Sequence, residues 1–154
     1  MVAPEHFPSA LSLACAMALV ACSCTSHADE PPDSSPPCVA GLKTDCQPLY
    51  DPPLYSTLFT KILQPTCATG TGTCHTAGAA MGGLVFENVT DSYDALLGLN
   101  GARRRVVPND PACSLLMIRL ESTDPQFVMP KGSRLDEPAL CDFVLWIAEG
   151  AQRN

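Results

Sequence analysis

The chain has 154 residues, a formal net charge of −7 and 16% charged residues, which allows one domain plus a leader. An acidic balance gives no global field to gather nucleic acid. Nine cysteines are too many for an ordinary cytosolic chain and point to an oxidising compartment or a cofactor.

The first element is an uncharged apolar stretch from Ala10 to Val20. It is too short to span a bilayer as a mature helix and suits the apolar region of a signal peptide. It runs into Leu19-Val20-Ala21-Cys22, which resembles a bacterial lipobox. Residues 1–21 are therefore expected to be a lipoprotein signal peptide, with lipidation at Cys22. Ser23 after that cysteine, in place of Asp, points to an outer-membrane lipoprotein facing the periplasm or the exterior, in the cell envelope. Ordinary secretion with cleavage nearby is the alternative.

Residues 22–53 read as a Pro-rich acidic linker. Seven prolines (31, 32, 36, 37, 48, 52, 53) fall there, and Lys43 stands alone against Asp29, Glu30, Asp33, Asp45 and Asp51. Proline fixes φ and lacks a donor, so the segment is expected to be extended or disordered, a tether that holds a domain off a lipid surface. Cys38 and Cys46 lie within it, at a spacing that could close a small disulfide loop.

Residues 54–154 form the domain, with a mainly helical pattern. Tyr55, Leu58, Phe59, Ile62 and Leu63 mark one face of a helix that Pro65 should end. Asp91 to Leu97 reads as a short helix with Asp91 as N-cap and Gly98 at its close. Pro111 opens another helix at its first position, with Leu115, Leu116, Ile118 and Leu120 on the buried side. Glu137-Pro138 opens the last, with Leu140, Phe143, Val144 and Ile147 as its apolar stripe and Gly150 after it. Short strands are predicted over residues 82–86 and 105–107. Arg103-Arg104-Arg105, the only basic cluster, is either a solvated turn or a partner for an anionic group.

The most informative pair is Cys74-His75. A Cys followed at once by His ends a c-type haem attachment signal: the thiol adds to a haem vinyl group and the imidazole reaches the iron. The usual spacing places two residues between the cysteines, whereas six separate Cys67 from Cys74. Three states are open. Both thiols hold haem through a long loop, Cys74 alone holds it, or Cys67 and Cys74 form a disulfide and no haem c is attached. Cys113 and Cys141, near the starts of the last two helices, are expected to staple them. With Cys38–Cys46 and Cys67–Cys74, and with Cys15 and Cys22 set aside in the leader and at the lipidation site, this leaves Cys24 over. Only His75 is a usable histidine, since His6 and His27 fall in leader and linker, so no nucleophilic triad has a base and the chain does not read as an enzyme.

The order Cys74-His75, Gly82-Gly83-Leu84, Val107-Pro108-Asn109-Asp110-Pro111, Met129-Pro130 and Trp146-Ile147-Ala148-Glu149-Gly150-Ala151 resembles the cytochrome c-like domains of the planctomycete type, found in exported bacterial lipoproteins. The resemblance covers about residues 54–151. It implies a small all-α, cytochrome c-like helical domain with crossed first and last helices, where Phe59 and Trp146 would meet. It implies Cys67 and Cys74 as haem-binding residues and His75 and Met129 as the two iron ligands. Function would be electron transfer in the cell envelope with a redox partner protein. The rival expectation is a haem-free, disulfide-stapled surface interaction module of the same fold.

Overall fold

A computed structural model describes residues 37–69 and 73–154. The expected signal peptide and lipobox, with Cys22, and Cys24 lie outside the described residues. The fold is all-α, with no strand among the described residues. Helix α1, Tyr55–Leu58, runs without a break into a π-helical stretch, Phe59–Ala68. Two 3₁₀ turns follow, Thr73–His75 and Met81–Gly83. Then come α2, Val89–Leu97, α3, Leu115–Glu121, and α4, Glu137–Ala148. None of the described helices is long and apolar enough to cross a membrane.

The helix starts and stops follow capping chemistry, with shifts from expectation. The N-cap of α2 is Asn88, whose side-chain oxygen accepts from Thr90 N–H and Asp91 N–H, so Asp91 falls inside the first turn. Gly98 closes α2 at φ 72°, a left-handed position. A Cβ there would stand 3.0 Å from the Ala102 carbonyl oxygen, so glycine is needed for space as well. Helix α3 begins four residues beyond Pro111. Asp110 instead builds a turn, accepting Cys113 N–H on its carboxylate and the Ser114 hydroxyl on its carbonyl. Helix α4 opens at Glu137 with Pro138 in its first turn, as expected, and its N-cap is Asp136, which was not singled out in the sequence.

Pro65 does not end the first helix. The chain passes through it to Ala68 because the turns there are widened to the π form, which accommodates the ring and the missing donor. Thr69 then closes the helix, donating its hydroxyl to the Gln64 and Pro65 carbonyls.

The core gathers Tyr55, Leu58, Leu96, Val106, Met117, Phe143, Trp146 and Ile147, all essentially sealed from solvent. Tyr55, one turn before Phe59, is the residue that stacks on Trp146, with ring centroids 5.2 Å apart, and it meets Tyr93 edge-on at 5.1 Å. Each ring also satisfies its polar atom: Tyr55 donates to Ser92, Tyr93 to the Ala151 carbonyl, and Trp146 to the Gln152 carbonyl. Asn154 accepts the Tyr55 and Ser56 amides, which α1 cannot satisfy itself.

The predicted strands are extended chain without a partner strand. Arg105 N–H and Val106 N–H both donate to the Leu96 carbonyl at the end of α2, and Leu116 N–H donates to the Arg105 carbonyl. Phe86 N–H donates to the His75 carbonyl. These short apolar runs thus join helix ends and turns.

The linker expectation needs correction from Pro37 onward. Cys38 is bonded to Cys113 and Cys46 to Cys141. The expected pairs Cys38–Cys46 and Cys113–Cys141 are not formed. The segment runs past the turn before α3 and then along α4, delivering one thiol to each. Val39 N–H donates to the Ala112 carbonyl, Leu49 N–H to the Pro138 carbonyl, and Tyr50 N–H to the Asp142 carboxylate. Acidic and proline-rich composition predicted disorder, but the two long-range crosslinks and this pairing hold residues 38–50 on the domain.

Candidate ligand cavity

Three of the residues singled out in sequence meet at one cavity of about 390 Å³, within the range of roughly 300–1,000 Å³ usual for small-molecule and cofactor sites. Its wall includes Cys67, His75 and Met129. They arrive from three elements: the end of the π-helical stretch, the first 3₁₀ turn, and the loop after α3. The apolar lining comes mainly from Leu63, Leu84, Phe86, Leu96, Leu116 and Leu120.

His75 is fixed from behind. Its Nδ1 lies 3.1 Å from the Leu84 carbonyl oxygen. A carbonyl only accepts, so Nδ1 carries the proton and Nε2 keeps its lone pair. Phe86 meets the ring edge-on at 5.3 Å. Burial holds the imidazole below its ordinary pKa, with the nearby Arg105 charge acting in the same direction. The ring is therefore neutral at pH 7, the form that ligates a metal.

Met129 is held by its amide, which donates to the Arg119 carbonyl, and it precedes Pro130 through a cis peptide bond. Cys67 is a free, half-buried thiol whose pKa burial pushes up to about 12. Cys74 is disulfide-bonded, and not to Cys67. This corrects the expected Cys67–Cys74 bridge, and in this state Cys74 has no thiol to offer a haem vinyl group. The intervening Ala68 to Thr73 loop had left that pairing undetermined.

The donor chemistry fits a haem in one respect and conflicts in another. His75 and Met129 supply an imidazole and a thioether, and the Cys67 thiol and the Met81 thioether line the same cavity. No group of three or more His, Cys, Asp or Glu that could hold a metal ion occurs among the described residues, so an iron here would need its remaining donors from a macrocycle. The apolar lining suits such a body. The Cys74 disulfide does not suit thioether attachment through that residue, and Cys67 is the cysteine that faces the cavity.

Several wall residues went unnoticed in the sequence. Met81 and Gln126 carry no motif that marks them. Within the arginine run, Arg103 and Arg105 line the cavity, and only Arg105 is buried. The chain matches no protein-family model, no curated protein and no solved structure.

Proposed function

We propose that this domain binds haem in the cavity and carries electrons in the cell envelope, as a cytochrome c-like domain tethered to a membrane by the chain that precedes it. The observation that carries the reading is that His75 and Met129, 54 residues apart in sequence, line one apolar cavity. His75 would hold the iron through Nε2, its ring oriented by the Leu84 carbonyl. Met129 would offer its thioether sulfur, a ligand that favours a high reduction potential when set against an imidazole. The leucine and phenylalanine wall would keep water from the site. A haem held there supplies one-electron redox chemistry. The disulfides are consistent with an oxidising compartment.

Expression of the full chain with a c-type maturation system tests this. The expected result is a red protein with a low-spin spectrum. His75→Ala should abolish the low-spin form, and Met129→Ala should change the second ligand while haem is retained. A colourless protein that takes up no added haem would overturn the reading. The Cys74 disulfide favours one second reading, the haem-free stapled interaction module, and that outcome would leave it standing.

A further inference from the structure

The guanidinium of Arg105 is buried, with the residue 9% exposed. Nη1 donates to the Ala95 carbonyl at 3.0 Å and to the Arg103 carbonyl at 2.8 Å, and Nη2 donates to the Gly82 carbonyl at 2.5 Å. All three acceptors are neutral. No ion pair with a carboxylate forms at Arg105 among the described residues, where the ion pairs are Arg134 with Glu121 and Glu137, and Arg153 with Asp94. Arginine does not shed its proton in proteins, so the charge stays. A buried cation without an opposite charge is costly. Three of its five N–H bonds meet carbonyls, and Nε–H with one Nη2–H remain for another acceptor.

Arg105 lines the cavity, as do Arg103 and Lys131, and no Asp or Glu is among the described lining residues. The cavity therefore combines an apolar wall with a cationic one. Its complement is a molecule with an apolar body and an anionic end.

The geometry points to a cavity that selects an apolar ligand carrying a carboxylate, with Arg105 as the group that neutralises it. This rests on the cavity being the ligand site proposed above, but not on iron or on either axial ligand. The two free N–H bonds of a planar guanidinium suit the two oxygens of a carboxylate, and the carbonyl cage fixes the plane in advance.

The test uses the purified full chain and two iron-free probes, protoporphyrin IX with its carboxylates free and the same porphyrin as its dimethyl ester. Binding is followed by quenching of Trp146, the chain's one tryptophan. The free acid should bind roughly 10- to 100-fold more tightly than the diester, the scale of a desolvated charge-assisted contact. Arg105→Gln should shrink that ratio to about threefold or less, and Arg105→Lys should keep part of it. Equal binding of acid and ester by the unmodified protein would overturn the inference without relying on any variant. So would a full preference surviving in folded Arg105→Gln. Ester discrimination without a low-spin haem spectrum would sink the haem reading alone. Low-spin haem uptake without ester discrimination would sink this inference alone.

Discussion

The two sides of the domain are built on opposite terms. On one side residues 38–50 lie against α4 and the turn before α3, fixed by two disulfides and by backbone bonds at Val39, Leu49 and Tyr50. On the other side the cavity is walled by a π-helical end, two 3₁₀ turns and loops, with Ala80 held at φ 42°. There Cys67 is a free thiol and Arg105 has no carboxylate partner among the described residues. The contrast separates two tasks. The two long-range crosslinks fasten an N-terminal segment to the first side, whereas the second is built of irregular backbone in which Cys74 is disulfide-bonded and Cys67 is free.

The largest effect should come from breaking the closed side. Each disulfide spans a long loop, with sequence separations of 75 and 95 residues, and loops of that size are worth on the order of 4 kcal/mol in the chain-entropy account. Cys46→Ser with Cys141→Ser should lower the thermal midpoint steeply, as read by circular dichroism. In the ligand-free protein, His75→Gln and Met129→Ala should each shift stability at pH 7 by no more than about 1 kcal/mol, because both residues are only half-buried. Comparable losses from the two sets would erase the division.

A smaller local effect is expected at Gly98, where φ is +72° and a Cβ would crowd the Ala102 carbonyl and Arg104. Gly98→Ala should cost about 1–2 kcal/mol. Urea denaturation measures it, and an unchanged midpoint would contradict the close approach.

The smallest effects sharpen the comparison by opposite pH signs. Asp142 on α4 is fully buried, and its Oδ2 has no hydrogen-bond partner. Burial raises its pKa above the usual 3.8, against the pull of the Tyr50 and Leu49 amides. The folded state then keeps a proton that the unfolded state has lost, so this residue's contribution grows as pH falls through the folded pKa and levels off below 3.8. His75 has its pKa lowered by burial from 6.5. As pH falls below 6.5 the unfolded chain takes the proton first, so its contribution is lost on acidification. Thermal midpoints of the ligand-free protein across pH 4–7 should show wild type gaining on Asp142→Asn and losing to His75→Gln as acid is added. Parallel curves would refute both assignments.

The sequence made the helical class legible because its apolar residues recur at helical spacing and its caps are local. Gly98 and Pro138 each act within a few residues of themselves. Cys67, His75 and Met129 line one cavity, while Cys74, expected beside them, is disulfide-bonded. What stayed hidden is long-range. Cysteine spacing says nothing about which cysteines the fold brings together, so Cys38 and Cys46 looked like neighbours closing a loop. Tyr55 and Phe59 lie on the same helical face, and only packing decides which one meets Trp146. The strand expectation at 105–107 failed because a β-branched run signals burial without saying whether its amides meet a strand or a helix end.

The crossed arrangement of the two disulfides has a topological consequence. Cys38 joins Cys113 and Cys46 joins Cys141, so the two loops overlap. Any single cut in the backbone from residue 38 to residue 141 leaves the fragments covalently connected through at least one bridge. A protease in an oxidising space could nick an exposed turn, such as that around Leu99, without detaching the rest of the molecule from its N-terminal chain. Nicked protein would run as one species on a gel until reductant is added, so a mounted domain would outlast damage to its own thread.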